Sequence, residues 1–266
     1  MSTPFFSDPL LFTGAGALLA QAGYYALHWM LGGREGKARA VEGFERVLIS
    51  AVLFAVASTF FVFAFWGLHV FYNLAGLSAL GNTTTWNATA VQTALTNAEK
   101  IYSRYFDASV ATLLSFYAAV VGFGLPPWSQ AISMAIMNVM GAAVMTAISV
   151  LITAAIYAVA AAIAKTWPLL TPIGAVLITY EKTRNIGALL IALGTVAPLV
   201  LIAGADVAQA AAPPRSITVE ILGNVWAVYD VVKSMVYLGL TAVALTTLVY
   251  AATRIFDHVG SHFALE

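Results

Sequence analysis

The chain has 266 residues, 61% of them hydrophobic and only 9% charged, with 12 basic and 12 acidic side chains and no cysteine. A soluble domain carries about 25% charged residues, so this composition excludes a water-solvated globule and points to a polytopic helical membrane protein. Without cysteine there is no disulfide framework, thiolate nucleophile or cysteine metal site, and a formal net charge of zero gives no bulk attraction to nucleic acid.

The opening residues, Met-Ser-Thr-Pro-Phe-Phe-Ser-Asp, lack the basic region of a cleaved signal peptide, so the first apolar run, 10–31, is expected to be a retained span. Gly14, Gly16, Ala20 and Gly23 put small residues on one side of it, as close helix packing in lipid requires. Residues 32–46 follow as a cytoplasmic basic loop with Arg34, Lys37, Arg39 and Arg46, interleaved with Glu35, Glu42 and Glu45. This loop serves as a topology determinant and as a candidate docking point for a cytoplasmic ATPase or DNA. A Phe-rich second span runs from Val47 to about Tyr72.

Residues 81–130 read as an outer loop with a re-entrant or interfacial segment. Asn82-Thr83-Thr84 and Asn87-Ala88-Thr89 match the N-glycosylation acceptor, by use or by chance. A surface helix is expected over 91–106, with Glu99, Lys100 and Arg104 on its wet face. The stretch 108–128 ends in Gly-Leu-Pro-Pro. The run 130–164 has neither proline nor charge. At about 1.5 Å per residue it exceeds 50 Å against a hydrocarbon core of about 30 Å, so it must tilt, protrude or lie partly on the surface. A cytoplasmic turn is expected over 168–185, with Pro168 and Pro172 stopping one helix and Gly187 letting the next leave at close quarters. Further spans fall at about 186–206 and 234–253.

Charge counting sets the topology. If 108–125 crosses, six spans leave the basic residues unbiased. If it enters and returns, or lies in the interface, five spans remain. Arg34, Lys37, Arg39, Arg46, Lys165, Lys182, Arg184 and Arg254 then face inward, against Lys100, Arg104 and Arg215 outside. The positive-inside tendency favours five spans with the N-terminus outside, in a single integral membrane domain over 1–266. Seven spans would preserve the same sidedness, but nothing divides 130–164.

Converging titratable groups, which catalysis needs, are scarce, so no enzyme activity and no cofactor are expected. His28 and His69 stand alone. His258 and His262 have metal-compatible i, i+4 spacing, but with Gly260 between them a solvated tail is the simpler reading. Asp230 and Lys233 share a helix face. Inside the membrane they would mark a pathway; on an interfacial lead-in over 217–233 they would face water, which is the favoured reading. Asn138, with Thr146, Ser149 and Thr153 along one stripe, would line a pore or bond between helices. The cluster of Met134, Met137, Met140 and Met145 suits adaptable packing. Scarce glutamine and abundant alanine match a thermophile's composition or a base-composition bias.

The stretch "LLTPIGAVLITYEKTRNIGALLIALG", 169–194, resembles a recurrent segment of archaeal polytopic membrane proteins. Leu169, Leu170, Pro172, Gly174, Thr183, Arg184, Gly187 and the run 190–192 fall in matching places. "YSRYFDASVATLLSFY" upstream resembles the helix preceding a Gly/Pro turn in the same proteins. They are similar to the membrane subunit of the Ced-type DNA-import system, itself similar to the polytopic inner-membrane subunit of conjugation (type IV secretion) machines. The resemblance covers about 95–205, with Ile178 where the family has Arg and Glu181 where it has Pro. It implies a non-enzymatic channel or platform subunit. It also implies a homo-oligomer in membrane lipid, a pilin-like small membrane protein and a cytoplasmic ATPase as partners, and DNA as transported substrate. The competing expectation is a small-solute transporter or ion-channel subunit.

Overall fold

Charge and proline punctuate this chain so sparsely that its helices run long. The computed structural model describes residues 9–75, 88–124, 130–214 and 225–263. Among them the regular elements are helical: α1 (Pro9–Leu31), α2 (Gly33–Ala75), α3 (Ala88–Gly124), α4 (Gln130–Ala164), α5 (Trp167–Leu177), α6 (Arg184–Ala211) and α7 (Val225–Phe263). Four helical stretches are long and apolar enough to cross a membrane: Gly33–Leu68, Val144–Ala164, Glu181–Ala211 and Tyr229–Ser261. The chain is thus an all-α polytopic protein. The expected first span, 10–31, is helical as α1 but is not one of these four.

Two expected loops are corrected. Residues 33–46 are the first turns of α2, because Arg, Lys, Glu and Ala are good helix formers and no proline interrupts them, so Gly36 and Gly43 are carried within the helix. Glu35–Arg39 and Glu42–Arg46 also stand at the supportive i, i+4 spacing. The expected surface helix over 91–106 does not end there: 88–124 is one helix of 37 residues, and the Gly-Leu-Pro-Pro turn of the expected re-entrant or interfacial segment, beyond Gly124, lies outside the described residues. The helix contains no proline, so the chain does not reverse before Gly124. Lys100, Arg104 and Asp107 form one exposed stripe on it, while Val91, Leu95, Ala98, Tyr102 and Tyr105 are buried opposite. Asn82, Asn87, Pro126, Pro127 and Arg215 lie outside the described residues.

The chain divides into two compact units, Met1–Ala94 with Ile163–Val200 and Ala244–Glu266, and Leu95–Ala162 with Leu201–Val243. In the first, α1 and α2 form a tight antiparallel hairpin. Gly32 and Gly33 make the turn; Gly33 has φ 58°, a left-handed conformation that glycine adopts without strain. Gly14 faces the Phe54 ring and Gly43 faces the Tyr25 ring, eleven residues back along α1 for eleven forward along α2. This register sets Gln21 level with Val47, where the charged turns of α2 give way to its apolar run. The second half of α1 therefore runs beside the basic turns of α2, and only its first half runs beside apolar sequence. The core of this unit stacks Phe61 on Trp167, ring centroids 4.8 Å apart.

In the second unit three tyrosines reach across to backbone carbonyls. Tyr102 Oη donates to Leu201 O at 2.8 Å, Tyr105 Oη to Ala212 O at 2.6 Å and Tyr157 Oη to Leu238 O at 2.8 Å. Ala212 lies just past the end of α6, where the last carbonyls have no helical donor, so Tyr105 caps that end. Serine and threonine mostly bond within their own helices. Ser149 donates to Met145 O and Thr153 to Ser149 O, so these two hydroxyls of the stripe bond back within α4. The span on α6 is 67% buried, and that on α7 only 17%. The exposed face of α7, including Leu240, Val243, Leu248 and Ile255, is too apolar for water and suits lipid or other helices.

Candidate functional site

The motif residues converge on the elbow between α5 and α6, in the first unit. Pro168 lies in the first turn of α5, where a missing N–H costs nothing. Pro172 lies inside α5 rather than ending it. Having no N–H, it leaves the carbonyl of Pro168, four residues back, without its helical donor. Thr13 of α1 supplies one: its Oγ1 donates to Pro168 O at 2.6 Å. The expectation that the two prolines stop a helix is corrected accordingly. One starts α5, and the other is accommodated by a hydroxyl from α1.

The turn itself is confined to residues 178–183. Ile178 N–H donates to Gly174 O at 3.0 Å and Tyr180 N–H to Leu177 O at 3.3 Å. Thr179 Oγ1 donates to Val176 O at 2.7 Å and Thr183 Oγ1 to Leu177 O at 2.8 Å. The carbonyls at the end of α5 are thereby satisfied by the turn that follows. A short 3-10 segment, Glu181–Thr183, leads into α6 at Arg184.

Glycine allows the return. A Cβ on Gly174 would lie 2.7 Å from Gly187 O and 2.9 Å from Ile191 N; one on Gly187 would lie 2.5 Å from Ile178 N and 2.7 Å from Gly174 O. Both obstacles are backbone, so α5 and α6 meet main chain to main chain, the approach that small residues permit between membrane helices. Ile178 is fully buried, against Gly187 on one side and Gly260 of α7 on another. An Arg at this position would bring a charge into that apolar contact.

The cationic residues separate into two groups. Arg34, Lys37 and Arg39 are exposed on the first turns of α2, with Lys37 Nζ 5.8 Å over the Trp29 ring. Arg46 is instead brought to the elbow. Its guanidinium lies 5.3 Å from the centre of the Tyr180 ring, and Tyr180 Oη is 2.7 Å from Tyr25 Oη. Lys182 is exposed two residues further on, and Arg184 is half-buried, its Nε enclosed without a hydrogen-bond partner. Two basic stretches distant in sequence thus meet at one turn, joined through a tyrosine pair.

Beside the elbow a groove of about 250 Å³ opens between α1 and α5, lined by Ala17, Ala20, Gln21, Tyr24, Ile173, Val176, Leu177 and Tyr180. Gln21 is only 6% exposed, and neither its Nε2 nor its Oε1 has a hydrogen-bond partner. Leaving a buried polar group unsatisfied costs about 1–3 kcal/mol.

The remaining candidates lie elsewhere. Asp230 and Lys233 are half-buried near the start of α7 in the second unit, on the span Tyr229–Ser261. Asn138 is part of α4, but its side chain lies outside the described residues, as do those of His69, Met137, Met140 and His262. Among the described residues no group of three or more His, Asp or Glu could hold a metal ion. Sequence reasoning did not find Gln21, Tyr25 or Tyr180. Their one signal was polarity within an apolar run, and only the hairpin register brings them to the elbow.

These features define an all-α polytopic membrane chain whose stretch from Pro172 to Gly187 builds a structural elbow. No protein-family model matches it, and neither a curated protein nor a solved structure is found similar.

Proposed function

We propose that this chain is a non-enzymatic platform or channel subunit of a conjugation-like DNA-transfer machine of the archaeal DNA-import type. The observation that carries the reading is the elbow. Pro172, Gly174, Thr183, Arg184 and Gly187, the residues of the family-like motif, converge there. Arg46 joins them from α2. In this reading the elbow faces the cytoplasm, where Arg46, Lys182 and Arg184 meet an energy-coupling ATPase. The N-terminus faces outward. The exposed faces of α2 and α7 pack against further copies, pilin-like subunits and lipid, and DNA passes along the assembly.

The test is genetic. Deleting the gene in its source cells and scoring marker transfer should abolish DNA uptake, with recovery on complementation by the wild-type gene. Complementation with Arg46→Ala, Lys182→Ala and Arg184→Ala combined should restore membrane insertion but not transfer. Normal uptake in the deletion strain would overturn the proposal.

A small-solute transporter or ion channel is the second reading. Asp230 and Lys233, one turn apart on a membrane-length helix, favour it. Under that reading Asp230→Asn with Lys233→Gln stops solute flux, while DNA transfer is unaffected by deletion.

A further inference from the structure

We infer that a small polar cavity in the second unit, between α3, α4 and α7, is a binding site for a single water molecule that joins α3 to α7. The inference is independent of what the whole assembly transports.

Size and lining carry it. The cavity leaves about 10 Å³ for the centre of a water molecule, and one water needs roughly 10–15 Å³ of such room. An organic guest is excluded, since even benzene occupies a cavity of roughly 150 Å³. Four hydroxyl side chains line the wall: Tyr105, Ser109 and Thr112 of α3, and Ser234 of α7. The three on α3 stand at i, i+4 and i+7, on one face of that helix. All four residues are buried.

Three of the four hydroxyl hydrogens are already engaged. Tyr105 Oη donates to Ala212 O at 2.6 Å, Thr112 Oγ1 to Ala108 O at 2.8 Å and Ser234 Oγ to Asp230 O at 2.9 Å. A hydroxyl oxygen that donates can still accept. Ser109 is the exception. It is only 5% exposed, and its hydroxyl bonds no other group among the described residues. Unlike the amide of Gln21, its oxygen is not sealed off, so a molecule in the cavity can reach it.

This wall asks for an occupant that offers both hydrogens and lone pairs. Water offers two of each. It accepts from Ser109 and donates to two of the remaining oxygens, and about three bonds is the usual number for a buried water. A metal cation would answer the lone pairs only, and no carboxylate lines the wall to balance its charge; an unpaired buried charge is costly. Position agrees with this chemistry. Ala147 and Val150 of the wall lie near the start of the span Val144–Ala164, and Ser234 near the start of Tyr229–Ser261. At 1.5 Å per residue the cavity is within about 9 Å of those span ends, close to where the bilayer becomes wet.

The test is X-ray hydroxyl-radical labelling of the full chain in oxygen-18 water. Radicals form from water in place, so a buried side chain is labelled only where a water sits beside it. Tyr102 and Tyr105 are both fully buried, but only Tyr105 lines the cavity. Trypsin cuts after Lys100 and Arg104, which puts the two tyrosines on different peptides, and fragment spectra place the label. Tyr105 should gain oxygen-18 several-fold faster than Tyr102. Ser109→Val, which fills the cavity and removes the free hydroxyl, should bring Tyr105 down to the rate of Tyr102; Ser234→Val serves as a second filling variant. Equal rates at the two tyrosines in the wild type would overturn the proposal, and so would a fast rate at Tyr105 that persists in a folded filling variant. If neither variant folds, the ratio of Tyr105 to Tyr102 in the wild type decides alone. Melting midpoints in sodium chloride and in choline chloride of equal ionic strength should coincide. A rise specific to sodium that Ser109→Val removes would assign the cavity to a cation instead.

Discussion

Replacing Gly187 by alanine tests the elbow most directly. The new methyl carbon would lie 2.5 Å from Ile178 N, 2.7 Å from Gly174 O and 2.9 Å from Ile178 Cα. All three are main-chain atoms of α5 and the turn, so no rotamer change relieves the overlap. Ordinary contact is restored only if α5 and α6 part by close to 1 Å. A gap of 0.5–1 Å forfeits about a quarter to a half of the dispersion energy of the atoms lining it, and overpacking costs about 1–3 kcal/mol. Against this, alanine gains about 0.5–1 kcal/mol over glycine inside a helix. The net expectation is a loss of about 1–2 kcal/mol, or roughly 2–8 °C in melting midpoint for a chain of this size. The assay is thermal unfolding in detergent, followed by tryptophan fluorescence. Gly16→Ala is the matched control, since nothing lies within 4 Å of its added carbon; it should melt at or slightly above the wild type. If Gly187→Ala melts no lower than Gly16→Ala, the main-chain contact between α5 and α6 is refuted.

Thr13→Val should cost about 1–3 kcal/mol by leaving Pro168 O without a donor. In a Pro172→Ala background, where residue 172 regains its N–H, the same change should cost under about 0.5 kcal/mol, and a double-mutant cycle of melting curves measures that difference. Tyr105→Phe and Tyr157→Phe should each lose about 1 kcal/mol with helical content unchanged, since each removes one hydroxyl bond to a carbonyl; circular dichroism melts check both. Because the chain has no cysteine, Thr85→Cys and Lys182→Cys report sidedness without background. An impermeant thiol reagent should label position 85 in intact cells and position 182 only after lysis, and the reverse pattern would invert the proposed topology.

Much of the helical layout was legible because membrane helices announce themselves by composition. The second span and the long run 130–164 stand out as apolar length without charge, and the stretches holding α6 and α7 as long apolar runs with few charges. The elbow was also legible as a place, from Pro172, Gly174 and Gly187. Its construction was not. Proline inside a helix reads as a breaker unless a donor for the orphaned carbonyl is known, and here the donor, Thr13, is 155 residues away. The stretch 33–46 read as a loop because its charges were weighed as topology signals, whereas the same side chains favour helix. The continuity of α3 was hidden because its pattern changes from one wet stripe to apolar all round near Asp107, which looks like a junction between elements. Tyr102, Tyr105 and Tyr157 gave no local sign of their partners, since carbonyls of distant helices leave no mark on sequence periodicity.

The contact between Gly174 and Gly187 also bears on how such chains diverge. Where side chains touch, a change on one helix can be matched by a change on the other, and the pair drifts together. Peptide planes in contact leave nothing to exchange: a larger residue at either position pries the helices apart, and no substitution opposite makes room. Two glycines thirteen residues apart, with a threonine-capped turn between them, should therefore outlast the surrounding hydrophobic sequence, and would mark distant kin after overall similarity has faded.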